Sequence, residues 1–126
     1  MCKILIIEDE RIIAEDLKYI ITSFGHEVVG IAKSGEQAIT LVEQFKPEII
    51  LMDIMLEGDL NGIQTAQYIS DRFDLQVIYI TAYADRETMN EAFETNPYGF
   101  LQKPVQENQL YAAIEIADRQ NKKLFI

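Results

Sequence analysis

The chain has one cysteine, Cys2, so no internal disulfide can close, and a thiol near one terminus has no neighbour at a metal-binding spacing. Cys2 reads as an incidental thiol. There is also one histidine, His26, placed between a helix end and a strand; solvent exposure is the expectation there, and no histidine-containing triad can be assembled around it. Basic residues are scarce. Eleven Lys and Arg against twenty-one Asp and Glu leave a net charge of −10, which repels a polyanion such as DNA. Lys122-Lys123 is too small a basic cluster to reverse this, so no direct nucleic-acid contact is expected. Solubility accounts for such acidity by itself; convergence of several carboxylates on a cation is the sharper alternative. Long hydrophobic runs are missing as well. Ile4–Ile7 and Ile49–Met52 fall far short of the ~20 apolar residues that span a bilayer, so no membrane segment is expected. The first residues reach Glu8 too soon for the apolar stretch of a secretory signal, and the expected location is the cytoplasm. No repeat, low-complexity tract or Pro/Gly-rich linker divides the 126 residues, which suits a single core.

What is present is an alternation of short apolar runs with longer amphipathic stretches, the pattern of β/α units. Ile4–Ile7 suits a strand buried on both faces. Ile13, Leu17, Ile20, Ile21 and Phe24 then lie on one stripe of a 3.6-residue period, and Gly25 stops that helix. Glu27–Ile31 is a second strand; Ser34 and Gln37 give a capping-box signal for a helix to about Phe45, ended by Pro47. Glu48–Met52 is a third strand, and Asn61 can cap a helix to about Phe73. Gln76–Thr81 is a fourth strand, Asp85 to about Glu94 a shorter helix, and Tyr98–Leu101 a fifth strand. Glu107 to about Asn121 closes the chain as a helix with Leu110, Ile114 and Ile116 among its apolar positions. Strands separated by helices must be joined by crossovers, so the pattern predicts an α/β fold: a five-stranded parallel sheet with helices on both faces.

In open parallel sheets, ligands bind outside the carboxyl ends of the strands. Those positions carry Glu8 and Asp9 after the first strand, Asp53 after the third, Thr81 at the end of the fourth, and Lys103-Pro104 after the fifth. Any one of them is accounted for by helix capping or loop solvation; complementary chemistry at all four ends is not. Carboxylates gathered there repel one another unless a cation neutralises them, and magnesium suits a site of two or three protein oxygens. Lys103 supplies a mobile positive charge for Asp53 or a phosphoryl group, and Thr81 a hydroxyl donor.

These residues resemble the receiver domain family of response regulators in two-component phosphorelays, over essentially the whole chain. The resemblance is carried by Ile-Leu-Ile-Ile-Glu-Asp-Glu at 4–10, Leu-Met-Asp-Ile-Met-Leu at 51–56, Tyr-Ile-Thr-Ala-Tyr at 79–83 and Gly-Phe-Leu-Gln-Lys-Pro at 99–104. It implies a flavodoxin-like sheet in the order 2-1-3-4-5, with residues 1–121 as the receiver domain and 122–126 as a tail or the start of a linker. It implies that Asp53 is the phosphoacceptor, assisted by Lys103 and Thr81. It implies Mg2+ held by Glu8, Asp9, Asp53 and the Met55 backbone carbonyl, Thr81 and Phe100 as switch residues, and a cis bond before Pro104. The implied partners are a cognate histidine kinase or phosphotransfer protein and a downstream protein or fused output domain. The responsive face would be the fourth helix, fifth strand and fifth helix, open either to a homodimer or to docking on another protein. The chain is then no enzyme beyond its own phosphorylation and dephosphorylation, the latter slow because Met55 and Tyr83 flank the water path and neither is a good base.

The sequence departs from the family pattern in two places. Glu8 stands where many members have Asp, a longer arm that still reaches the metal. The segment 56–62 lacks the usual proline and is slightly longer than the common loop. Other classes fit less well. A flavin or nucleotide module of the same topology is opposed by Glu8-Asp9-Glu10, which repels a ligand phosphate. Gly25–Gly30 imitates a P-loop start, but Ile31 stands where lysine is required. A metal-dependent phosphatase needs an acid/base carboxylate two residues after its nucleophile, and Met55 occupies that place. A degenerate receiver is disfavoured because the required set is intact. No helix-turn-helix follows the last helix, so the chain is expected to act through other proteins or to be a fragment. Its apolar end, Leu124-Phe125-Ile126, suits a cut linker, a dimer contact or simple fraying.

Overall fold

The computed structural model describes residues 1–82 and 85–123, with the backbone alone for 121–123. Ten elements alternate: β1 (Lys3–Ile7), α1 (Arg11–Ser23), β2 (Glu27–Ala32), α2 (Gly35–Phe45), β3 (Ile49–Asp53), α3 (Gly62–Arg72), β4 (Gln76–Thr81), α4 (Arg86–Phe93), β5 (Gly99–Gln102) and α5 (Glu107–Lys123). The strands form one parallel sheet in the order β2-β1-β3-β4-β5. This is the flavodoxin-like order expected, and its direction of winding reverses between β1 and β3.

Period-two alternation divides the apolar strand residues between two cores. Ile4, Ile6, Ile49, Leu51, Ile78 and Ile80 pack on one face against α1 and α5, through Leu17, Ile21, Leu110 and Ile114. Leu5, Ile7, Ile50, Met52, Val77 and Tyr79 face the other way, against Val42 of α2, Ala66 and Ile69 of α3 and Ala92 of α4. The central strands are buried on both sides, which is why they read as unbroken apolar runs.

Helix termini follow local chemistry. Gly25 adopts φ +92° after α1, and Lys46 takes a left-handed conformation ahead of Pro47, ending α2. Ser34 caps α2 by accepting from the Gln37 N–H, but the Gln37 side chain bonds the Lys33 N–H rather than that of Ser34, so the expected box is only half formed. The complete reciprocal box lies at α3, between Asn61 and Gln64.

Several expectations are corrected. Strand β3 is displaced by one residue, from 48–52 to 49–53, so Asp53 is its last residue rather than the one after it. Ile116 is 58% exposed, because on α5 the buried stripe is Leu110, Ile114 and Ala117, and Ile116 turns away from it. His26 is buried, not exposed, and Cys2 is buried beside it. Gly25–Gly30 spans a turn and β2 rather than a strand-to-helix loop, in agreement with the failed P-loop match. α5 runs on to Lys123, and Leu124-Phe125-Ile126 lie outside the described residues, as does Tyr83. Among the described residues, no helix is long and apolar enough to cross a membrane.

Candidate functional site

The carboxyl ends of β1, β3, β4 and β5 converge at the reversal point, and each delivers one part of the expected site. One carboxylate oxygen from each of Glu8, Asp9 and Asp53 lies within 4.8 Å of the others. Glu8 and Asp53 are buried; Asp9 is half-buried. Asp53 is fixed at both oxygens: Oδ1 accepts from the Met55 N–H at 3.0 Å, and Oδ2 meets Lys103 Nζ at 3.2 Å. Lys103 also meets Glu8 Oε1 at 2.5 Å, while Glu8 Oε2 accepts from the Glu10 N–H at 3.1 Å. Lys103 is thus a bridge between two acids, where the sequence suggested a partner for Asp53 alone.

The electrostatics are unbalanced. Burial pushes the Glu8 carboxyl up to about 7; the Lys103 ammonium and the Glu10 N–H oppose the rise, and the nearby Asp53 charge adds to it. For Lys103, burial acts to lower the pKa, but hydrogen bonding and charge from Glu8 and Asp53 outweigh it and the net direction is upward. One ammonium therefore stays charged without neutralising its acidic neighbours. A set of hard oxygen donors carrying surplus negative charge fits a hard divalent cation such as Mg2+.

Thr81 ends β4, is buried, and accepts the Lys103 N–H through its carbonyl at 2.8 Å; the Lys103-Pro104 bond is cis. Phe100 is half-buried, its ring against Tyr79 and Phe93 with centroids 6.2 and 6.0 Å away. A cavity of about 220 Å3 is lined by Thr81, Met89, Phe100 and Gln102. The Met55 side chain is 60% exposed beside the site.

Sequence reasoning missed Gly62. A Cβ there would stand 2.1 Å from the Asp53 carbonyl oxygen and 2.7 Å from Ile54 Cα, so only glycine lets α3 press on the backbone of the acceptor residue. The available signal was a glycine directly after a capping asparagine, at a helical position with no positive φ to explain it. The long 54–61 loop is held by Ile54 N–H to Ile80 O, Gly62 N–H to Ile54 O and buried Leu56.

A family model for the response regulator receiver domain matches residues 4–115. The chain is similar to the transcriptional regulatory protein PdtaR of Mycobacterium tuberculosis, 32% identical over 91% of this chain and 56% of that protein. It is also similar to the positive alginate biosynthesis regulatory protein of Pseudomonas aeruginosa, 36% identical over 94% of this chain and 48% of that one. Among solved structures, the signal receiver domain of a modulated diguanylate cyclase from Desulfovibrio desulfuricans superposes with a TM-score of 0.91 at 38% identity, covering 97% of both chains. The chain spans about half the length of the curated relatives it matches. Sheet order and sequence agree: this chain belongs to the response regulator receiver domain family of two-component systems.

Proposed function

We propose that Asp53 accepts a phosphoryl group from a phosphohistidine on a cognate histidine kinase or phosphotransfer protein, and that the modification switches a protein-binding surface. The observation that carries this reading is the convergence of Glu8, Asp9 and Asp53 within 4.8 Å around a lysine bridge. Glu8, Asp9, Asp53 and the Met55 carbonyl would hold Mg2+, which when bound supplies charge neutralisation to the transferring oxygens. The remaining work belongs to the chain. Met55 N–H orients the Asp53 carboxylate, whose oxygen attacks phosphorus in line; the P–N bond to the donor imidazole breaks and an acyl phosphate forms. Lys103, already against Asp53, follows the developing negative charge. An apolar groove of about 810 Å3 opens beside Lys103, lined in part by Ile13, Leu17, Tyr19 and Val105, and gives a donor protein ground on which to land.

Phosphorylation adds charge that draws Lys103 and Thr81 toward the acceptor, and the cavity between Thr81 and Phe100 gives the ring room to move inward. The switched face comprises α4, β5 and α5, and serves a homodimer, a downstream protein or a fused output domain. The anti-anti-sigma factor PhyR of Bartonella quintana is a structural neighbour 31% identical, which supports output through a protein partner. Self-dephosphorylation is slow because Met55, exposed beside Asp53, carries no base; a phosphoryl half-life of seconds counts against this.

Acetyl phosphate with Mg2+ tests the reading by intact mass. The native chain gains one phosphoryl group and Asp53→Asn gains none; an adduct in both displaces Asp53 from its role. Size measurement with beryllium trifluoride then shows whether the activated form dimerises.

A further inference from the structure

A second group of ligating side chains lies at the opposite end of the sheet. Cys2 precedes β1 and His26 precedes β2, and α5 returns over both to bring Glu115 and Asp118. Glu8 lies six positions beyond Cys2 along an extended strand, so this group stands about 20 Å from the acidic pocket. One ligating atom from each of Cys2, His26 and Asp118 lies within 4.8 Å of the others, and all three residues are buried. The acidic pocket plays no part in this cluster.

The imidazole is prepared as a ligand. His26 Nδ1 accepts the Cys2 backbone N–H at 3.1 Å, so Nδ1 carries the lone pair and the proton sits on Nε2. That proton points at Glu115 Oε2, 2.9 Å away. A carboxylate behind the distal nitrogen is the arrangement that orients metal-bound histidines and raises their basicity. Cys2 Sγ is 3.4 Å from Nδ1. Tetrahedral zinc, with Zn–S about 2.3 Å and Zn–N about 2.0 Å, separates sulfur and nitrogen ligands by about 3.5 Å, close to that spacing. Binding requires Nδ1 to give up the Cys2 N–H, a small movement ahead of β1, where Met1 is exposed.

We propose that Cys2, His26 and Asp118 form a second metal site, with Glu115 as the positioning residue behind His26, that takes a cation of borderline softness such as Zn2+ rather than Mg2+. Sulfur and imidazole select against hard cations, and three donors leave a fourth position for water. Burial, then the charges of Asp118 and Glu48, hold the Cys2 thiol up at about 12, so a metal must displace the thiol proton. Such a site would pin α5, an element of the proposed switching face, to the start of β1 and β2.

Co2+ titration of the tag-free chain in excess Mg2+ tests this. One equivalent is expected to give a thiolate-to-cobalt charge-transfer band and visible bands of tetrahedral intensity, both abolished by competing Zn2+. Cys2→Ser abolishes the charge-transfer band, and His26→Gln and Asp118→Asn abolish or weaken the visible bands, with circular dichroism confirming that each variant is folded. Glu115→Gln lowers Zn2+ affinity roughly 10- to 100-fold, measured against a chromophoric chelator. Asp53→Asn leaves all of these signals intact. A folded native chain with no charge-transfer band overturns the proposal, as does a band that survives unchanged in both His26→Gln and Asp118→Asn.

Discussion

Substituting Gly62 by alanine tests the link between packing and site most directly. The added carbon would lie 2.1 Å from the Asp53 oxygen and 2.9 Å from its carbonyl carbon, and 2.7 Å from Ile54 Cα. Every obstacle is backbone, so no rotamer change can relieve the clash, and α3 or the end of β3 must retreat by about 1 Å to restore ordinary contact. Overpacking of this kind costs about 1–3 kcal/mol, and the rigid neighbours place it toward the upper end. At the first position of α3 alanine returns only a fraction of the helix-interior propensity gain, leaving a net loss of about 2 kcal/mol and a melting temperature lower by about 8 °C. A shift of about 1 Å at an attacking group costs up to ~10²-fold in rate, so acetyl phosphate labelling should slow by one to two decades. Gly25→Ala is the control: φ is +92° but nothing lies within 4 Å, so it strains the backbone by about 1 kcal/mol and leaves labelling alone. Native melting and native labelling rate in Gly62→Ala would refute the argument.

Other outcomes follow from the charges. Lys103→Met leaves Glu8 and Asp53 buried without their shared cation; in EDTA it should cost about 3 kcal/mol by urea unfolding, and saturating Mg2+ should recover most of the loss. Glu8 has a raised folded-state pKa, so the folded protein holds more protons than the unfolded chain between pH 4.5 and about 7. Its contribution is therefore full below pH 4.5 and is lost as pH rises through 7, on the order of 3 kcal/mol in metal-free buffer. Unfolding curves across that window should show the decline in the native chain and not in Glu8→Gln. Cys2 is 1% exposed with its pKa near 12, so in metal-free native protein it should resist thiol reagents and react fully only in denaturant; rapid native labelling would mean the cluster around it opens.

Much of this was written in local sequence. Continuous apolar runs such as Ile49–Met52 identify strands because a parallel sheet covered by helices buries both faces of each central strand. Glu8, Asp53, Thr81 and Lys103 were legible because the ends of such runs are fixed in space once the strands are parallel. Boundaries were less legible: Asp53 belongs to β3 because it pairs with Ile80, a neighbour 27 residues later in the sequence. Ile116 could not be placed from its apolar character, since only the docked face of α5 decides that Ile114 is covered and Ile116 is not.

The sequence by itself determined the order of strands and helices and which polar residues stand at the strand ends, because hydrophobic periodicity and capping are properties of adjacent residues. Tertiary structure alone decided that Lys103 bridges two acids, that α3 rests on Asp53 through Gly62, and that Cys2 and His26 are buried under α5. Each of these depends on chain segments tens of residues apart reaching one point, and a distance of that kind is set by how the layers pack, not by any local pattern.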